Sequence, residues 1–91
     1  MHESPKGRIL VVDDEPSVRE SLGMLLTEAG YEVSTAIDGF DALLRLKTFA
    51  PDVIISDLNM PQMSGFELLS VLRRRFPSRV SVVLRSPARK G

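Results

Sequence analysis

The stretch of residues 8–16, RILVVDDEP, contains an unbroken run of apolar side chains followed at once by three acidic residues and a proline. Apolar runs that do not alternate with polar residues are typical of strands buried on both faces, as in parallel sheets. Pro16 suits the first turn of a helix, because the N–H group that proline lacks would have no helical partner there. The stretch therefore predicts a buried strand, an acidic turn and a helix in direct succession.

The rest of the chain repeats this alternation of strand and helix. Apolar residues recur at helical spacing after Pro16, and Gly30 is predicted to end this first helix. Three further strands are predicted, over residues 31–35, 52–56 and 80–84. They are separated by two helices, one that runs from Gly39 to Pro51 and one that begins near Phe66. Strands that alternate with helices favour βαβ units, so the predicted fold class is α/β, a parallel sheet of about four strands with three helices.

Aromatic and basic residues of the predicted helices are interpreted as structural. The phenylalanines have spacings that suit core positions, and they are Phe40, Phe49, Phe66 and Phe76. The arginines at 73–75 end the third helix, where cations interact favourably with the helix dipole. We therefore expect the phenylalanines to fill the core and the arginines to form a solvated helix end rather than a nucleic-acid site.

Composition narrows the classes of partner. The 91 residues suit one small domain. Twelve basic and twelve acidic residues cancel, so no net charge attracts nucleic acid or an anionic membrane. Cysteine is absent, which excludes disulfides and thiolate metal sites. The N-terminal residues are polar, and no apolar run approaches the ~20 residues that span a bilayer, so we expect a soluble, cytoplasmic protein without a membrane partner.

Acidic residues follow two of the predicted strands. Asp13 and Asp14 close the first strand, and Asp57 closes the third. A single aspartate at such a place is more often a helix cap or a loop residue. Ligands of open parallel sheets, however, bind at the carboxyl ends of the strands. If the first and third strands are neighbours, three carboxylates meet there and would repel one another unless a cation lay among them. Mg²⁺ is the expected cation, because it prefers oxygen ligands.

Two motifs carry a resemblance to a known family. Residues 9–15, ILVVDDE, and residues 51–61, PDVIISDLNMP, together with Gly65, are similar to the receiver domain of two-component response regulators. The resemblance covers about residues 7–86. It implies a flavodoxin-like (βα)5 fold with strand order 2-1-3-4-5, and a phosphoacceptor role for Asp57 in a phosphorelay.

The resemblance also implies the roles of the neighbouring residues. Asp14 and Asp57 would bind Mg²⁺ through their carboxylates, Asn59 through its backbone carbonyl, and Asp13 mainly through water. Ser86 matches the switch hydroxyl that turns toward the phosphoryl group in receivers. The implied partner is a histidine kinase or a phosphotransfer domain, and the chain would be a phosphorylated signalling module rather than an enzyme.

The chain departs from the family pattern near its end. A complete receiver continues with a helix, a strand and a helix, roughly 30–40 residues more, and that strand carries a lysine that contacts the phosphoryl oxygens. Lys90 precedes any such strand, and Arg85 is unusual because a strand end there is normally apolar. We therefore expect a disordered segment over residues 1–7, an incomplete receiver domain over 8–86, and an aberrant or disordered tail over 87–91.

Two other functions stay open at this point. One is an aspartyl-phosphate phosphatase of the haloacid-dehalogenase type, which also places a nucleophilic aspartate after a buried strand. That family needs an acid two residues later, and Asn59 cannot supply the proton. The other is a non-phosphorylated, truncated interaction fragment. A fourth strand left as an edge would favour self-association, and the lack of a final helix would leave Val11 and Ile55 open to water.

Overall fold

The computed structural model describes residues 4–58, 63–75 and 81–85 of the chain. Its elements alternate as predicted. They are β1 (Arg8–Val12), α1 (Pro16–Glu28), β2 (Glu32–Ala36), α2 (Gly39–Arg45), β3 (Val53–Asp57), α3 (Gly65–Arg75) and β4 (Ser81–Arg85). The strands form one parallel sheet in the order β2-β1-β3-β4. The described residues therefore confirm the α/β, flavodoxin-like fold class.

The central strands, β1 and β3, direct side chains to both faces of the sheet, and helices cover each face. On one face, buried strand residues pack against α2 and α3, and this core consists of Leu10, Val12, Ala36, Ala42, Ile54, Leu68 and Leu72. On the other face lies α1, since a side chain added at Gly23 would touch Val33 and Thr35, which point away from Ala36. Gly30 follows the end of α1 and has a φ of 107°, a conformation that glycine adopts without a Cβ clash.

Some element boundaries differ from those expected. β2 and β3 each begin one residue later than predicted, and α2 ends at Arg45 instead of reaching Pro51. Asp52 lies just before β3, and its carboxylate accepts a hydrogen bond of 2.9 Å from the Arg8 backbone N–H. After α2, tight turns replace the last expected helical turn. One of them is closed by the N–H of Thr48, which donates a hydrogen bond to the carbonyl of Arg45. These shifts do not separate the carboxyl ends of β1 and β3, which lie side by side in the sheet.

The expectation that the phenylalanines fill the core was wrong for two of them. Phe40 and Phe66 are 53% and 63% exposed, whereas Phe49 packs half-buried against the core. Phe76 lies outside the described residues. In α3 the buried face instead contains Gly65, Leu68 and Leu72. Helical periodicity had indicated an apolar stripe that begins at Phe66, but the stripe that faces the sheet begins one residue earlier, at Gly65.

The expectation that Val11 is open to water was also wrong. Val11 is fully buried, because β1 is a central strand and α1 packs against β1 and β2. Ile55 on β3 is half-buried, and Val83 on β4 is 49% exposed. The exposed apolar surface on the α1 side of the sheet therefore lies over β3 and β4. None of the described helices is long and apolar enough to cross a membrane.

Candidate functional site at the carboxyl edge of the sheet

The three predicted acidic residues meet at one edge of the sheet. Asp13 directly follows β1, Asp14 comes next, and Asp57 is the last residue of β3. Since β1 and β3 are neighbours, one carboxylate oxygen from each residue lies within 4.8 Å of the others. Asp13 and Asp57 are buried, whereas Asp14 is exposed. The cluster is therefore anchored in the protein and open to solvent on the side of Asp14.

Asp13 is held in place by several hydrogen bonds. Its Oδ1 accepts a bond of 2.9 Å from the Glu15 backbone N–H, and its Oδ2 accepts one of 2.6 Å from Nη1 of Arg85. The Asp13 carbonyl accepts a third bond, of 2.9 Å, from Nη1 of Arg19, and its own N–H bonds the Ala36 carbonyl. Both carboxylate oxygens of Asp13 are thus engaged, which favours contact with a cation through water rather than directly.

Asp57 is fixed through its backbone and its neighbours. The Ser56 hydroxyl donates to the Asp57 carbonyl at 3.1 Å, and the N–H of Gly65 bonds the carbonyl of Leu58 at 3.0 Å. A Cβ at Gly65 would lie 2.6 Å from the Asp57 carbonyl oxygen, so only glycine allows this close approach. The start of α3 therefore packs directly against the strand end that carries the Asp57 carboxylate.

Arg85 also belongs to the site. The sequence shows that a charged residue at this strand end is unusual, but it does not predict that Arg85 contacts the acidic cluster. It closes β4, pairs in register with Asp57, and forms an ion pair with Asp13. Asp57 closes the strand between them, because β3 separates β4 from β1. Only the order of the strands, and not the local sequence, shows that this charge reaches the acidic cluster.

The side chains fit a hard divalent cation. The cluster offers carboxylate oxygens, which are the ligands that Mg²⁺ prefers, and the exposed Asp14 leaves room for the waters that this ion retains.

Two other predicted site residues, Asn59 and Ser86, lie outside the described residues, as does the tail over 87–91. The segment boundary expected at residue 7 stays a prediction, although Lys6 and Gly7 already form backbone hydrogen bonds with Gly30 and Glu32.

Comparison with known proteins identifies the protein family that has this fold and this acidic cluster at the carboxyl edge of the sheet. The family model of the response regulator receiver domain matches residues 9–90. The chain belongs to this family, whose members are signalling modules and, in response regulators, interact with histidine kinases. The strand order of the described sheet agrees with the order that the resemblance implied.

Individual relatives support the assignment. The chain is 47% identical over 66 residues to the transcriptional regulatory protein PrrA of Mycobacterium leprae, an overlap of 72% of this chain and 28% of PrrA. The chemotaxis protein CheY4 of Vibrio cholerae has a TM-score of 0.80 and 40% identity, over 85% of this chain and 65% of that one. The response regulator TrrA of Thermotoga maritima, solved in complex with Mg²⁺–BeF, also has a TM-score of 0.80 and 40% identity, over 87% and 68%.

These relatives are longer than this chain. It spans less than a third of PrrA and about two thirds of CheY4. The similarity therefore concerns the receiver portion that the proteins share.

Proposed function

We propose that this chain is a phosphoacceptor module of a two-component phosphorelay, in which Asp57 takes a phosphoryl group in the presence of Mg²⁺. The observation that carries the proposal is the position of Asp57. It lies buried at the carboxyl end of a central strand, with oxygens of Asp13 and Asp14 within 4.8 Å. The cluster thus combines a carboxylate nucleophile with neighbouring oxygen ligands for a cation.

The proposed reaction is an in-line displacement at phosphorus. A carboxylate oxygen of Asp57 attacks the phosphorus atom of a phosphohistidine or of a small donor such as acetyl phosphate. The new P–O bond forms as the bond from phosphorus to the donor breaks, and the leaving group keeps the electron pair. The imidazole released from phosphohistidine takes up a proton, whereas acetate leaves as the anion. Bound Mg²⁺ neutralises charge on the transferring group. The product is an acyl phosphate on Asp57.

The chain's own residues have distinct roles in this proposal. Asp14 and Asp57 bind the cation through carboxylates, and Asn59 binds it through its backbone carbonyl. Asp13 acts through water, in keeping with the two hydrogen bonds that occupy its carboxylate. Ser86 is proposed as the switch hydroxyl. A histidine kinase or phosphotransfer domain is the proposed phosphodonor, in the cytoplasm, and the chain itself is a modified signalling module rather than an enzyme.

Asp14→Asn is expected to weaken Mg²⁺ binding strongly. The native chain, titrated with Mg²⁺, should shift the backbone amide NMR signals around Asp13, Asp14 and Asp57. The substitution removes one anionic ligand, and because Asp14 is exposed, it should leave the fold intact. Glu15→Gln is the matched control, since Glu15 is an exposed neighbour that is not part of the cluster. Signals that shift equally in Asp14→Asn, or that are scattered over the surface, would contradict the site.

A second candidate function, association through β4, is favoured by one observation. Within the part of the chain that the structure describes, β4 is hydrogen-bonded on one side only, and its Val83 is 49% exposed. An apolar edge strand of this kind can pair with another chain. We propose that a second copy pairs there. This association is compatible with phosphorylation of Asp57, because the contact involves the side of β4 that has no partner strand among the described residues, and not the acidic cluster.

Val83→Lys is expected to weaken this self-association by about tenfold or more, because it removes an apolar side chain from the contact and adds a charge. Ser81→Lys adds the same charge to the same face of the same strand and should weaken it less, since Ser81 contributes little apolar surface. Sedimentation velocity over a range of protein concentrations measures the effect. A native chain whose sedimentation coefficient does not change with concentration would overturn the proposal.

A further inference from the structure

The ion pair between Arg85 and Asp13 crosses the proposed phosphoryl site. Nη1 of Arg85 lies 2.6 Å from Oδ2 of Asp13, and these residues belong to the ends of β4 and β1. Because β3 lies between these strands, the Arg85 and Asp13 side chains and the bond between them together span two strand spacings, roughly 10 Å. Arg85 also pairs in register with Asp57, so its guanidinium passes over the carboxyl end of the strand that carries Asp57.

We propose that Arg85 binds the phosphoryl group in this chain, an inference that rests on the proposed function of Asp57. A guanidinium is planar and has five N–H donors, and it binds phosphate oxygens through two parallel hydrogen bonds. Arg85 is only 29% exposed in its side chain, which strengthens its interaction with an anion relative to a fully solvated cation. A phosphoryl group on Asp57 would place its oxygens beside this cation.

Asp13 and a phosphoryl group are competing partners for Arg85. Without a phosphoryl group, the guanidinium offsets the charge of the buried Asp13 carboxylate. A phosphoryl group on Asp57 brings more negative charge and more acceptor oxygens than one carboxylate, so Arg85 should move its hydrogen bonds to the phosphoryl oxygens. Arg85 therefore repels a cation in the cluster and attracts an anion on Asp57.

This assignment predicts opposite effects of one substitution on two ligands. Arg85→Met keeps much of the length of the side chain but removes its charge. Mg²⁺ binding should become about two- to fivefold tighter, as expected for loss of one partly exposed cation. Binding of beryllofluoride in the presence of saturating Mg²⁺ should become about 10- to 100-fold weaker, as expected for loss of hydrogen bonds to a charged group. Both affinities can be measured by NMR titration of the full chain.

The control is Arg8→Met, which removes an arginine that pairs with Glu32 at the opposite end of the sheet. It should change neither affinity. Equal beryllofluoride affinity in the native chain and Arg85→Met would overturn the role of Arg85 alone. A parallel loss of both affinities would also overturn it, because that result indicates a structural role. A native chain that binds Mg²⁺ but no beryllofluoride would overturn the proposed function together with the role of Arg85.

A second measurement does not depend on the variant folding. In the native chain, the guanidinium NMR signals of Arg85 should shift when beryllofluoride is added to the Mg²⁺-loaded protein, because the hydrogen bonds move from Asp13 to the anion. The signals of Arg8 should stay in place. Unchanged Arg85 signals at saturating beryllofluoride would overturn the proposal.

Discussion

Asp57→Asn is expected to abolish phosphoryl transfer from acetyl phosphate in the presence of Mg²⁺. The native chain should gain the mass of one phosphoryl group, whereas the variant should gain none. The reason is chemical, because an amide cannot replace the carboxylate as a nucleophile that forms an acyl phosphate. The extent of labelling can be read from the intact mass of the two proteins after the same incubation.

Asp52→Asn is the matched control for this experiment. Asp52 is an exposed aspartate just before β3, at the end of the strand opposite Asp57. Its carboxylate accepts a hydrogen bond from the Arg8 N–H, and the oxygen of an asparagine can accept the same bond. This variant should be labelled as the native chain is. Equal labelling of the native chain and Asp57→Asn would contradict the assignment of the phosphoacceptor.

Gly65→Ala is expected to destabilise the fold by about 1–3 kcal/mol, the usual cost of inserting a carbon atom into a packed site. The added Cβ would lie 2.6 Å from the carbonyl oxygen of Asp57 and 3.1 Å from Cα of Leu58. Both atoms belong to the backbone, so α3 would have to move away from the end of β3. Denaturant titration followed by circular dichroism measures the change in the free energy of unfolding.

Gly23→Ala makes the same chemical change in a different environment. Gly23 lies inside α1, and a Cβ there would make ordinary contacts of 3.7 Å and 3.9 Å with side chains of β2. Alanine has a higher helix propensity, so this variant should be more stable than the native chain by about 0.5–1 kcal/mol. If both alanine variants changed stability by the same amount, the close packing of Gly65 would not be the cause.

The fold and the acidic cluster could be predicted because their signals are local. Strands buried on both faces are continuously apolar, and they end where charged residues begin, so β1 and its two aspartates are evident in residues 8–14. Asp57 follows a strand of the same kind. Parallel strands bring their carboxyl ends to one edge, and the family resemblance implied that the first and third strands are neighbours. Asp57 could therefore be placed beside Asp13 and Asp14, although it is distant from them in sequence.

Other features depend on information that a local sequence does not contain. The periodicity of α3 indicates an apolar stripe, but which residues contact the sheet depends on how the helix is rotated on it. Phe66 was therefore expected inside and is exposed, whereas Leu68 is buried. The contact between Arg85 and Asp13 could not be predicted from the local sequence, because it depends on the strand order that places β3 between β4 and β1.

The central claim is that Asp57 itself receives the phosphoryl group, and the most direct test is to locate the label on the native chain. The chain is incubated with acetyl phosphate, with and without Mg²⁺, and then fragmented in the mass spectrometer. We expect the phosphoryl group on Asp57 alone and only when Mg²⁺ is present. A label on Asp13 or Asp14, or the same amount of label on Asp57 without Mg²⁺, would contradict the account.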